Sequence, residues 1–126
     1  LFIQVCNGYF KDKVFIYDLK KTQINLVSKE NLSKKIELKW LSSGEKQIVS
    51  LFAKLYLSGV EKYTVLFDEP ELSLSIHWQE KLLPDIIETK KCDFMMAVTH
   101  SPFIISKELK KYTLSFGSTI QRKDEF

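Results

Sequence analysis

The stretch LSSGEKQ, residues 41–47, joins a segment of alternating apolar residues ending at Trp40 to an apolar run beginning at Ile48. Its local chemistry supports two readings. Ser42 with Glu45 three residues on makes a capping box, in which a serine oxygen and a glutamate carboxylate satisfy otherwise unpaired amides of a first helical turn. Ile48, Val49, Leu51, Phe52, Leu55 and Tyr56 then fall at helical spacing and predict a buried stripe. The same geometry leaves several N–H groups, a hydroxyl and the positive end of a helix dipole pointing outward, and Gly44 lets a ligand approach the backbone closely. A helix start and a phosphate-binding site are both open at this point.

On the N-terminal side, Phe2, Val5, Cys6, Tyr9 and Phe10 recur at helical spacing, and Lys11-Asp12-Lys13 closes the run. Residues 14–17, 23–27 and 36–40 read as short strands, with Ile24 and Leu26, and then Ile36, Leu38 and Trp40, alternating with polar neighbours. Polar turns separate them, so an antiparallel meander is expected to lead into the LSSGEKQ helix. On the C-terminal side, Ser58-Gly59 ends that helix, and residues 63–67 form a continuous apolar run, the pattern of a strand covered on both faces. The run stops at Asp68-Glu69-Pro70. A helix over 76–89 follows, with Trp78, Leu82, Leu83, Ile86 and Ile87 as its apolar positions and a kink expected at Pro84. A second apolar run, 94–98, ends at Thr99-His100-Ser101-Pro102. Strand, helix and strand in this order predict a parallel βαβ unit. The tail beyond Gly117 is polar, with room for one last strand. No internal repeat or low-complexity segment is seen.

The chain has 126 residues, 44% hydrophobic and 28% charged, which is the balance of a globular domain with one core and argues against disorder. Its formal net charge of +3 is weak, and the pairs Lys20-Lys21, Lys34-Lys35, Lys90-Lys91 and Lys110-Lys111 read as solvated surface. Charge therefore argues neither for nor against DNA. Cys6 and Cys92 lack CxxC or ligand-like spacing, so both are expected to be reduced thiols and no zinc site is assigned. No apolar run is long enough to span a bilayer and no leader pattern opens the sequence, which makes the cytoplasm the expected location. Because Leu1 falls inside a helical pattern, the sequence reads as a piece of a longer chain.

Parallel strands of a βαβ unit end on one edge of the sheet, where α/β proteins bind ligands, so Asp68, Glu69 and His100 are expected to converge. A carboxylate directly after a buried strand suits Mg²⁺, a hard cation that takes oxygen ligands and keeps several waters. Glu69, pointing differently, is placed to orient or deprotonate an attacking water, and His100 to hydrogen-bond a terminal phosphate or that same water. Together they describe a phosphoanhydride hydrolase. Each also has a plainer explanation, a polar turn that stops a strand for the acids and a structural role for the histidine. The order of the elements favours the site.

LSSGEKQ resembles the signature motif of ABC-type ATPases, YTVLFDEP their Walker B, ELSLS their D-loop and AVTHS their switch histidine, over residues 41–101. The preceding helix and meander resemble the segment leading into the signature in RecF/SMC-like ATP-binding proteins. DEPELSLS followed by IHWQEKLLPDI is most similar to stand-alone ATPases of bacterial anti-phage defence, of the Septu, retron-associated and OLD-like kinds. This implies an α/β, P-loop NTPase-like fold of the ABC type, with residues 1–126 forming the C-terminal portion of one ATPase domain. Residues 1–40 would be the helix and meander, and 41–126 the signature helix, Walker B, D-loop and switch histidine.

By the same resemblance, Ser42, Ser43, Gly44 and Glu45 bind nucleotide, with the Ser42 hydroxyl and Gly44 amide on the γ-phosphate of ATP held by the opposite subunit of a homodimer. Asp68 serves Mg²⁺, Glu69 is the catalytic base, and His100 senses the γ-phosphate. Ser73 and Ser75 stand in the D-loop where many transporters end in Ala-Leu-Asp. No GxxxxGK[ST] occurs, so the N-terminal P-loop lobe is expected to be missing from these residues, which alone should be inactive. The implied function is an ATPase that dimerises on ATP and gates an effector, a separate HNH-type nuclease in Septu-like systems. The alternatives are a repair or chromosome-maintenance ATPase acting directly on DNA, and a metal-dependent nuclease built on Asp68, Glu69, Glu71 and His100. The nuclease reading lacks the second acid cluster that a two-metal site needs.

Overall fold

The computed structural model describes residues 1–115, so the strand expected beyond Gly117 lies outside the described residues. Helix α1, Phe2–Asn7, is shorter than the periodicity through Phe10 predicts. Gly8, a poor helix residue, follows it, and Asn7 is drawn away to the first strand. Asn7 Nδ2 donates to the Phe15 carbonyl at 3.0 Å, and Asn7 Oδ1 accepts from the Phe15 N–H at 2.7 Å. The chain turns there, and Tyr9 and Phe10 enter the core from outside the helix.

Strands β1, Lys13–Asp18, and β2, Gln23–Ser28, pair antiparallel from Lys13↔Ser28 to Asp18↔Gln23. Asp18 Oδ1 closes their turn by accepting from the N–H groups of Lys20 and Lys21. The third meander strand does not form. Its start survives as a single bridge, Val27↔Lys35, with the Ile36 N–H donating to the Leu26 carbonyl at 2.8 Å. Leu38–Trp40 is instead one turn of 3₁₀ helix, in which Leu38 is 54% and Trp40 71% exposed. Alternation specifies a strand only where one face can be buried, and here only Ile36 packs against the core.

Helix α2, Ser43–Leu57, buries Ile48, Phe52 and Leu55, with Val49, Leu51 and Tyr56 packed at the margin, as the predicted stripe requires. Strand β3, Tyr63–Asp68, helix α3, Ile76–Glu88, and strand β4, Cys92–Val98, form the expected parallel unit, in register from Thr64↔Phe94 to Asp68↔Val98. Helix α3 continues through Pro84, which cannot donate to the Glu80 carbonyl. It buries Leu82, Leu83 and Ile86 against α1 and α2 residues in one cluster. Trp78 meets the Tyr9 ring edge-on at 5.5 Å, and the Lys81 ammonium lies 4.5 Å from the centre of that ring.

The β3–β4 pair departs from expectation in one respect. Its residues Tyr63, Phe67 and Met95 pack on the core, but Leu66, Phe94, Met96 and Val98 on the opposite face are exposed. An apolar run predicts two buried faces only if both have a covering layer, and among the described residues helices cover one. None of the described helices is long and apolar enough to cross a membrane.

Cys6 and Cys92 are free thiols. Cys6 is fully buried between α1 and the core, and burial pushes its pKa up to about 12. At pH 8 only about one part in ten thousand of it would then be thiolate, the reactive form. Iodoacetamide at that pH should label the half-buried Cys92 first and Cys6 only as the protein unfolds in denaturant. Fast labelling of Cys6 in the folded protein, read by peptide mass, would contradict this packing.

Candidate functional site

The N-terminus of α2 is capped as its sequence predicts. Ser42 Oγ accepts from the Glu45 N–H at 3.2 Å, and the Ser42 N–H donates to Glu45 Oε2 at 2.8 Å. The second glutamate oxygen is also engaged, accepting from Lys13 Nζ of β1 at 2.6 Å. Burial works against the Lys13 charge, but the Glu45 and Asp12 carboxylates outweigh it and hold its pKa above the ordinary lysine value. Glu45 is only 8% exposed and both its oxygens are used inside the chain, so it braces the cap against the hairpin. Ser42 and Ser43 remain exposed. The Ser42 hydroxyl accepts the capping bond and keeps its own proton to donate outward.

Gly44 is buried, and the reason is a backbone. A Cβ at this position would run into the carbonyl oxygen of Ser73, well inside contact distance, and would touch the Leu74 side chain at 3.4 Å. Gln47 one turn on donates through Nε2 to the Pro70 carbonyl at 3.0 Å. The capped helix start therefore lies against the turn that follows β3.

That turn carries the acids. Asp68 closes β3 opposite Val98, and the Glu69 N–H extends the ladder to the Val98 carbonyl at 2.8 Å. Glu69 then adopts a left-handed backbone, φ 47°, as does Ser73 at φ 66°, conformations that non-glycine residues rarely take. The Glu69 carboxylate is 40% exposed and stands 3.7 Å from His100 Nε2, itself 86% exposed after β4. Glu69 and His100 are thus brought together as the strand order requires, and Asp68 shares their edge. Ser73 lies against Gly44, whereas Ser75 is the N-cap residue of α3 and makes no side-chain capping bond.

Two further residues organise this edge without having been singled out for it by their sequence pattern. Glu71 Oε1 accepts from the N–H groups of His100 at 2.9 Å and Ser101 at 3.1 Å. Burial opposes its ionisation, but the Thr99 hydroxyl and the backbone amides of Glu71, His100 and Ser101 outweigh it and hold its carboxyl below the usual glutamate value. Gln79 on α3 donates through Nε2 to the Leu74 carbonyl at 2.9 Å and accepts through Oε1 from the Ser101 hydroxyl at 2.6 Å. The available signal was topological: in a parallel βαβ unit, the residues just after β3 neighbour those just after β4.

A protein-family model described as "AAA domain, putative AbiEii toxin, Type IV TA system" matches residues 16–106. The chain belongs to this family. It is an AAA-type, P-loop ATPase-class domain, in keeping with its mixed α/β structure and parallel strand pair. No curated protein matches the chain. In this AAA-type domain no group of three or more His, Cys, Asp or Glu side chains among the described residues could hold a metal ion by itself. A lone strand-end carboxylate such as Asp68 suits Mg²⁺ that arrives with substrate phosphates, since Mg²⁺ is commonly held by one or two carboxylates plus phosphate and water.

The contact of Gly44 with Ser73 gives a stability test. Gly44→Ala should lower the unfolding free energy by about 1–3 kcal/mol, because the opposing atom is backbone and cannot swing away. Ser42→Ala should cost about 0.5–2 kcal/mol through loss of the cap. Urea denaturation followed by circular dichroism would measure both. An unchanged midpoint for Gly44→Ala would mean that the Ser73 carbonyl does not lie against α2.

Proposed function

We propose that this chain is the C-terminal part of an ABC-type ATPase head that closes on ATP as a homodimer and gates an effector in anti-phage defence. The observation that carries the reading is the placement of Glu69, held in a left-handed turn beside His100 on the sheet edge where Asp68 ends β3. A strained backbone at a strand end with two acids in succession is the kind of feature that persists where chemistry requires it.

In this reading Glu69 orients and deprotonates the attacking water, and His100 donates a hydrogen bond to the terminal phosphate. Asp68 would hold Mg²⁺, whose charge offsets that developing on the phosphate oxygens. Ser42, Ser43 and Gly44 face the γ-phosphate of a nucleotide carried by the second copy. The support for that role is the exposed serine pair on a capped helix, where outward-pointing amides and the helix dipole favour an anion. Glu45 supports the site indirectly, by fixing the cap to Lys13. The phosphate-binding loop comes from residues other than these 126, which contain no GxxxxGK[ST]. A separate HNH-type nuclease is the proposed effector. The words toxin and TA system in the family description sit alongside a defence role.

The test uses full-length protein that includes its phosphate-binding loop. Glu69→Gln should keep Mg-ATP binding while turnover falls by about 10²–10⁴-fold, the usual contribution of a positioned general base. ATP-closed dimers should then accumulate, visible by light scattering after gel filtration. Unchanged turnover would reduce Glu69 to a residue that ends a strand.

A further inference from the structure

The turn after β3 and the turn after β4 are joined by side chains whose geometry the proposed chemistry does not itself require. Glu71 accepts two successive amides, of His100 and Ser101, on one carboxylate oxygen. When ionised, a carboxylate is an acceptor only, and its bonds to backbone N–H groups are roughly twice as strong as neutral ones. The depressed carboxyl value keeps that charge in place at neutral pH. The Ser101 hydroxyl, bonded to Gln79, adds a second tie between the post-β4 turn and α3. Gln79 in turn holds the Leu74 carbonyl, next to the Ser73 carbonyl that lies on Gly44.

We infer that Glu71 is the positioning residue for His100: it fixes the backbone that carries the imidazole and, with Gln79, makes the 69–75 turn and the 99–101 turn move as one body. The inference rests on the assignment of His100 to the terminal phosphate. If Ser73 and Ser75 meet a second copy when the dimer closes, displacement there passes to His100 through these bonds, because Gln79 spans both turns. Among the described residues, the one polar partner of the exposed His100 ring is Glu69 at 3.7 Å. Its orientation toward a ligand therefore depends on its backbone.

Full-length protein carrying Glu71→Ala, Glu71→Gln and His100→Ala decides the matter. Glu71→Ala should reduce kcat on the order of 10²-fold, the scale of a misplacement of about 1 Å, with KM for ATP little changed. Glu71→Gln keeps an oxygen that can accept both amides, so it should restore most of the lost kcat. In nucleotide-free protein the backbone amide resonances of residues 100 and 101 should shift strongly in Glu71→Ala and weakly in Glu71→Gln. If Glu71→Ala does not fold, Glu71→Asp, whose shorter side chain draws the carboxylate back from both amides, is read in its place: unmoved amides at 100 and 101 in that variant overturn the positioning role. Equal loss of kcat in the Ala and Gln variants also overturns it. Shifted amides with unaltered kcat, together with a silent His100→Ala, would instead overturn the assignment of His100 and leave its positioning by Glu71 standing.

Discussion

The carbonyl of Ser73 occupies the space that a side chain on residue 44 would need, and the geometry of the whole edge depends on that contact. A hydrogen bond can lengthen by a few tenths of an ångström at little cost, but a methyl group placed on a backbone oxygen must displace one of two main chains. The contact sets the distance between the start of α2 and the turn after β3 more strictly than the neighbouring Gln47–Pro70 bond does. Glu45 carries the constraint further, since its second oxygen reaches Lys13 and ties the helix start to the β1–β2 hairpin. Three stretches distant in sequence are thus held at one place by a glycine, a glutamate and a glutamine within four residues.

Holding the acids in this way costs backbone energy. Glu69 and Ser73 lie in the left-handed region, where a non-glycine residue is disfavoured by about 1–3 kcal/mol. The core beneath them is large enough to offset this. Ile48 and Phe52 of α2 and Leu82 and Ile86 of α3 are fully buried, and each contributes about 1.5–3 kcal/mol. The turn also has its own local bonds, Leu72 N–H to the Glu69 carbonyl and Leu74 N–H to the Glu71 carbonyl, and it inserts Leu74 into the core. The strained segment is therefore pinned at both ends and at its centre.

Features that depend on short-range spacing were legible from residues alone. Ser42 and Glu45 form both capping bonds, the stripe from Ile48 to Leu55 is buried, and the order of β3, α3 and β4 gives the parallel pair that brings Glu69 to His100. Features that depend on what lies opposite were not. Leu38 and Trp40 alternate like strand residues but have no layer to cover them, so they turn as 3₁₀ helix. Leu66, in a run read as covered on both faces, is exposed for the same reason, since a run of apolar residues records preference and not the presence of a partner. Glu71 could be read from its pattern only as one more acid beside Asp68 and Glu69, because its partners, the amides of residues 100 and 101, lie about thirty positions away.

Adjacent acids pose a problem that the backbone resolves. If Asp68 and Glu69 both continued the strand, alternation would send them to opposite faces of the sheet, and only one could address a ligand at its edge. Asp68 keeps the extended conformation and its register with Val98, while Glu69 reverses the sign of φ one residue later. That reversal frees Glu69 from strand alternation and sets its carboxylate near the turn that follows β4, where His100 stands. In the proposed chemistry this is what separates the two duties: the strand-borne carboxylate serves the cation and the turn-borne one serves the water. Relaxing Glu69 to an extended backbone would relieve strain and at the same time carry its carboxylate away from the histidine, so in the proposed chemistry strain and function at this position are a single property.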